Sequence, residues 1–358
     1  MHRGVIAPAL ACLLVLGAAQ TQAQAQDDST AAPTADTKPR EPRPALMLPL
    51  ATKGTLLDVA KAGERLVAVG DHGDIVVSDN GNDWRQVESP VDVMLTRLYF
   101  HDAQHGWAVG HDGVILHTED GGLSWKVQRW VPDKGPLYDV LFLDAQNGLA
   151  VGSYASLLHT SDGGQTWTDV STDIQEPGLH FNAITKLADG TLFIAGERGM
   201  MARSADNGAT WTMLDSPYKG SMFGALPHGA HGVIAFGLRG NIYITDDVRA
   251  VHEIAVKGWD EFDRETVIDP AALAKLGWRH PVNASNESLL RGAALPDGAL
   301  LTGINGVLVE VSGSQDAVHT VKSTENETLS GLVPVHDDWI AVGARGVRPL
   351  KIKTGEPS

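Results

Sequence analysis

The chain has 358 residues, with 28 Lys+Arg against 44 Asp+Glu for a net charge of −16, and it contains 39 Gly, 9 Trp and a single Cys. With 43% hydrophobic and 20% charged residues it can bury a sizeable core, which excludes disorder along most of its length. The acidic excess argues against nucleic acid or an anionic lipid surface as a partner. Glycine well above the roughly 7% of ordinary globular chains points to many tight turns between short strands.

Residues 1–25 pair His2 and Arg3 with an apolar run from Val5 to Gly17 and end in Ala23-Gln-Ala25. A charged start, a run too short to span a bilayer and a small-x-small site are expected of a secretory signal peptide. Cys12 lies inside the apolar run rather than after it, unlike a lipoprotein cysteine. Cleavage would leave an exported chain with no cysteine, hence no disulfide, thiol nucleophile or cysteine–metal site, and with no segment for membrane insertion. Residues 26–44, rich in Ala, Thr, Asp, Pro and Gln, read as a disordered linker.

From residue 45 to 358 one pattern recurs: apolar-x-apolar, Gly, two or three residues, Gly, apolar-x-apolar, then a polar turn. Its first glycines are Gly70, Gly110, Gly152, Gly196, Gly237, Gly303 and Gly343, at intervals of 40, 42, 44, 41, 66 and 40 residues. This is the length of a four-stranded propeller blade, with one long interval. Period-two alternation divides the second unit into strands over 95–100, 106–110, 114–118 and 125–129. The expected fold is all-β: a seven-bladed β-propeller of four-stranded antiparallel blades.

The turn before the fourth strand repeats as Thr118-Glu-Asp120-Gly-Gly122-Leu-Ser-Trp125, Thr160-Ser-Asp162-Gly-Gly164-Gln-Thr-Trp167 and Ser204-Ala-Asp206-Asn-Gly208-Ala-Thr-Trp211. Asp79-Asn-Gly81-Asn-Asp-Trp84 is a weaker copy. An Asp carboxylate accepts backbone N–H bonds across such a turn, the Gly permits positive φ and the Trp covers the hairpin, so these residues read as structural. They resemble the Asp-box of the bacterial neuraminidase repeat.

The seventh unit ends after its third strand, at Arg348-Pro-Leu-Lys-Ile352, while Ala45-Leu-Met-Leu-Pro-Leu50 stands unassigned ahead of the first. That N-terminal segment is expected to supply the missing strand and close the ring. The long interval holds an insertion at about 257–287, between blades five and six. Within it, Asp269 as N-cap, Pro270 at the first helical position and Gly277 as terminator predict a two-turn helix. Trp259, Phe262 and Trp278 are its expected anchors. They serve either a partner contact or attachment to the propeller wall.

The strand pair and turn spanning Val109 to Trp125 and Val151 to Trp167 give the chain its family likeness. It resembles the photosystem II assembly and stability factor propellers and their relatives in non-photosynthetic bacteria. The resemblance implies an exported, non-catalytic, monomeric propeller that serves as assembly, stability or accessory factor for a membrane protein complex or its unassembled subunit. For the non-photosynthetic relatives it implies association with resistance-nodulation-division exporters. The implied compartment is the periplasm, or the thylakoid lumen of a photosynthetic host. No cofactor and no metal are implied.

The loop between the second and third strands of each blade opens near the axis, and the residue two after each first glycine is His72, Asp112, Tyr154, Arg198, Arg239, Asn305 or Arg345. Three arginines at equivalent positions would gather positive charge on one face of an acidic protein, suited to carboxylates and protein contacts. The alternative is that each is a solvated turn residue. A rival reading is a sialidase-like glycoside hydrolase, with these arginines on a substrate carboxylate and Tyr154 and Glu197 nearby. Against it stand the missing Arg-Ile-Pro motif and a count of seven blades rather than six. Neither a zinc motif nor a phosphate-binding loop is present, and no catalytic residue is assigned.

Overall fold

The computed structural model describes residues 40–257, 266–313, 317–321, 326–336 and 338–352. The expected signal peptide, most of the linker, Trp259 and Phe262 lie outside them. Seven antiparallel sheets follow one another along the chain, and each pairs its strands in sequence order. Among the described residues five have four strands and two have three. The second blade runs Leu95–Phe100, Gly106–Gly110, Ile115–Thr118 and Lys126–Arg129, within a residue of the pattern read from alternation.

The first strands line the axis. They span Leu56–Ala62, Leu95–Phe100, Leu137–Phe142, Phe181–Lys186, Met222–His228, Leu289–Leu295 and Leu329–Val335. Each packs against the next, and the seventh packs against the first. The core is divided among the blade interfaces: one apolar cluster fills each neighbouring pair, including Leu56, Val59 and Val76 against Val342 between blades one and seven.

The recurring first glycine has a steric cause. In all seven blades the residue after it donates its N–H to the carbonyl just ahead of the first strand, as from Asp71 to Thr55 (3.0 Å), His111 to Met94 (2.9 Å) and Ile304 to Ser288 (3.0 Å). That bond draws the glycine so close that a Cβ at Gly70, Gly110 or Gly303 would overlap the same carbonyl oxygen. The first-strand residue opposite is followed by a β-bulge in every blade, for example between Leu95 and Arg97.

The expected closure by residues 45–50 is not what the fold does. Blade seven has three strands, Leu329–Val335, Asp338–Gly343 and Gly346–Leu350, and the N-terminal segment pairs with none of them. It runs instead beside the outer strand of blade one, where Ala45 N–H donates to the Ser89 carbonyl (3.0 Å) and the Gln86 side chain bonds Leu48 N and Leu46 O. Pro49 cannot donate to a ladder, and Pro349 removes a donor from the strand it would have joined. Closure comes from face packing, helped by the Ser330 hydroxyl donating to the Leu56 carbonyl (2.6 Å). Leu46, Met47, Leu48 and Leu50 are exposed. Deleting residues 45–50 should therefore cost no more than about 1 kcal/mol, as for other surface changes. A collapse of the thermal melting temperature would restore the closure role.

Blade five, also three-stranded, receives its outer edge from the insertion. Ile244 and Arg279 exchange backbone hydrogen bonds of 2.9 and 2.8 Å, while Asp215 and Ile254 tie residues 252–254 to the edge of blade four. Between these contacts lies the helix Pro270–Leu276, with Asp269 Oδ1 accepting from Ala272 N (2.8 Å) and Gly277 at φ 88°. Trp278 is buried in the cluster between blades four and five, and its Nε1–H donates to the Asp215 carbonyl. It pins the insertion to the wall.

The Asp-box turns work as read, with one correction. Asp120 Oδ1 accepts from Leu123 N and Ser124 N, and Asp162 and Asp206 accept from Thr166 and Thr210 in the same way. Trp125 and Trp211 donate Nε1–H to the Gly122 and Gly208 carbonyls. In blade one Trp84 likewise donates to Gly81, but the acceptor is Asn80 rather than Asp79, taking Asn82 N (2.9 Å) and Asp83 N (2.8 Å). That turn is one residue shorter, so the register shifts, and Asp79 pairs outward with Arg65 (2.6 Å).

The Thr166 hydroxyl and the backbone N–H groups hold the Asp162 carboxyl down at about 2. Its contribution to stability is thus present above the ordinary carboxylate value and lost as pH falls towards about 2. Melting curves of the protein and of Asp162→Ala should differ at neutral pH and converge in acid. Parallel curves would remove the box carboxylate from the stability account.

Candidate partner-binding face

Because each first strand starts opposite the recurring glycine, the turns joining second to third strands gather at one end of the ring, around the axial opening. The Asp-box turns follow the third strands and occupy the other end. In six of the seven axial turns the singled-out residue is left-handed: His72 (φ 54°), Asp112 (56°), Tyr154 (52°), Arg198 (52°), Arg239 (58°) and Asn305 (55°). The seventh differs. Arg345 sits in a two-residue hairpin with Gly343 paired to Gly346.

Local partners hold several of these side chains. Asp112 pairs with Arg40, which also lies 5.4 Å over the Trp130 ring. Tyr154 is 77% exposed and packs edge-on against His180, whose Nδ1 accepts its backbone N–H (3.0 Å). Arg198 lies 3.9 Å from Glu197, Asn305 donates to Glu287 (3.1 Å) and Arg345 pairs with Glu327 (2.5 Å). His72 lies beside Asp71, and the Arg239 backbone is held by the Ser288 hydroxyl (3.1 Å). The fold thus brings the seven positions to one face, but the three arginines stay on three separate turns.

Inside their ring lies a well of about 430 Å³. One residue of each first strand lines it, always the one after the strand's opening residue: Leu57, Thr96, Tyr138, Asn182, Phe223, Leu290 and Ser330. His180, Glu197, Ser221 and Arg291 complete the lining. One step further along the strands, the side chains become ionic. Arg97 bonds Asp139 (2.9 Å) and faces Asp58 (3.5 Å). Each carboxylate also accepts a backbone N–H from the following blade, Leu98 for Asp58 and Ile184 for Asp139. Although burial opposes its charge, the Asp139 and Asp58 carboxylates raise the Arg97 guanidinium above the ordinary arginine value.

Arg291 approaches from blade six. Its Nη1 donates to the Phe223 and Leu290 carbonyls (3.3 and 3.1 Å), and its Nε is buried without a partner. Burial, followed by the like charge of Arg97, pulls it down to about 10. None of these four charged residues was singled out from sequence. The signal was present: Asp58, Arg97, Asp139 and Arg291 fall 12 or 13 residues ahead of Gly70, Gly110, Gly152 and Gly303, charges at one phase of the first strand.

Among the described residues no three His, Cys, Asp or Glu side chains converge as a metal site. The Tyr138 phenol at the well is pushed up by burial, then by Tyr154 and Glu197, the opposite of an activated nucleophile.

The model of the family described as photosynthesis system II assembly factor YCF48 matches residues 76–267. The photosystem II assembly protein Ycf48 of Thermosynechococcus vestitus is 33% identical over 188 residues, which cover 52% of this chain and 52% of that protein. The chain spans about half the length of the curated Ycf48 relatives it matches. Among solved structures, YCF48 bound to D1 peptide superposes with a TM-score of 0.61 at 17% identity, covering 88% of this chain and 98% of that one. The WD40 propeller domain of Doa1 gives 0.60 at 10% identity, covering 88% and 98%. At such identities the likeness is one of fold.

Proposed function

Because the chain belongs to the photosystem II assembly factor Ycf48 family, we propose that it is a non-catalytic, exported propeller that binds a subunit of a membrane protein complex through its axial face. The observation that carries this reading is the convergence of seven turns, one from each blade and three of them bearing arginine, at the open end of the ring. Rigid turns on a closed scaffold present a preorganised surface, and arginine is the side chain best suited to carboxylate-bearing partners. A relative's structure contains D1 peptide, which makes a peptide segment of an unassembled subunit the natural ligand class. The compartment in this reading is the periplasm, or the thylakoid lumen of a photosynthetic host, and the partner is a photosystem or an exporter subunit.

A glycosidase reading finds less support. It would need a tyrosine activated by a carboxylate, yet Glu197 faces Arg198 and accepts from the His180 backbone (3.3 Å). Co-purification from solubilised membranes tests the proposal: the protein should capture a membrane subunit, and the combined change Arg198→Ala, Arg239→Ala, Arg345→Ala should lose it while melting normally. Undiminished capture by the folded triple variant would reject the arginine face. Turnover of a sialoside that disappears in the same variant would favour the hydrolase.

A further inference from the structure

We propose that the axial well is itself a ligand site, taking a carboxylate on a short apolar body, with Arg291 as its anion-binding group and Leu57, Phe223 and Leu290 as its apolar wall. This goes beyond partner binding at the rim and does not depend on it. The well's volume of about 430 Å³ falls within the range of small-molecule sites, roughly 300–1,000 Å³, and like them it combines apolar walls with a few polar groups.

The sign of the ligand follows from how the charges are already used. Asp58 and Asp139 both face Arg97. Glu197, in blade four, two blades from Arg291, faces Arg198 (3.9 Å) and the His180 ring (3.7 Å). Arg291 has no carboxylate within ion-pairing distance among the described residues, and its Nε donates to nothing. Arg97 and Arg291 balance Asp58 and Asp139 in formal charge, but of the four only Arg291 makes no ion pair among the described residues, and a guanidinium so placed in a poorly solvated site attracts an anion and opposes a cation. The apolar wall selects among anions, since a bare phosphate would leave Leu57, Phe223 and Leu290 uncovered. Arg291 stands at the same strand position as the ionic cluster of Arg97, Asp58 and Asp139, one step beyond the wall residues, so a ligand entering from the turn side passes the apolar wall and places its carboxylate at the floor. Two sources carry this chemistry, a free short-chain acid and the C-terminal residue of a peptide.

Calorimetric titration of the purified chain separates them, using octanoate, octanamide and a leucine-ended hexapeptide with a free or amidated C-terminus. A carboxylate ligand should bind at one site per chain and raise the melting temperature, whereas octanamide and the amidated peptide should not. Saturation by octanoate identifies a free acid as sufficient; saturation by the free-ended peptide alone identifies a chain terminus. Arg291→Met should weaken binding by about tenfold or more, the loss of a charge-assisted hydrogen bond. If that variant does not fold, Leu290→Trp, which fills the well and keeps the arginine, should abolish binding instead. Equal binding of octanoate and octanamide, no binding of either carboxylate, or undiminished binding in a folded Arg291→Met or Leu290→Trp chain would overturn the assignment.

Discussion

Replacing Gly110 or Gly303 by alanine is expected to destabilise the propeller by about 3 kcal/mol or more, because the new methyl meets rigid backbone rather than a movable side chain. At Gly110 it would overlap the Met94 carbonyl oxygen and crowd Leu95 Cα; at Gly303 it would overlap the Ser288 carbonyl and crowd Leu289 Cα. Relief requires breaking the hydrogen bond from His111 or Ile304 to that same carbonyl, and with it the start of the first strand. Gly229 is the matched control. It has φ 58° but nothing within 4 Å of its notional Cβ, so Gly229→Ala should cost only about 1 kcal/mol of backbone strain. Urea or thermal unfolding of the three variants gives the answer, and losses at Gly110 and Gly303 no larger than at Gly229 would remove close approach as the cause of the repeat.

The second large effect is expected at the axis. Arg97→Met should cost about 3–5 kcal/mol, since it strands two buried carboxylates. Asp58 and Asp139 keep their bonds to Leu98 N and Ile184 N, so they cannot turn away to water without abandoning those donors. Adding Asp58→Asn and Asp139→Asn should recover most of the loss, because an amide oxygen can still accept the backbone N–H while carrying no charge. A single variant that unfolds within about 1 kcal/mol of the parent, an ordinary surface-change effect, would show that the cluster contributes little. Failure of the triple change to recover would place the effect in packing rather than charge.

How much of this was legible in the sequence depends on whether a feature is local. The blade period, the strands of blade two, the helix from Asp269 to Gly277 and the box turns of Asp120, Asp162 and Asp206 are each fixed within a few residues of chain, and the structure follows them. The box of blade one was misassigned because a one-residue contraction moves the acceptor from Asp79 to Asn80. Ring closure was misread because a three-stranded last blade looks incomplete until it is seen that blades one and seven join through their faces, with Val342 against Leu56 and Val76. The seven turn residues repeat at one position of each blade and could be read from the glycine period, yet which side chains meet at the axis was not visible. The well and its ions depend on residues as far apart in the chain as Leu57 and Ser330, and only the ring brings them together.

The glycine repeat and the axial charges serve one end in common. The glycines let each turn fold back tightly over its own first strand, and the first strands in turn present one residue each to the well. In the proposed reading, the rigid rim with its arginine-bearing surface and the cavity beneath it receive a protein segment. The face bearing the boxes is made of turns whose polar groups are largely satisfied internally.

Site-specific photo-crosslinking in intact cells tests that division most directly, with a photoreactive residue placed at Arg239 or Asn305 on the axial rim and at Leu123 or Gln165 on the box face. The account predicts crosslinks to a membrane-complex subunit from the rim positions and none from the box positions. Crosslinks confined to Leu123 and Gln165, with the rim silent, would contradict it.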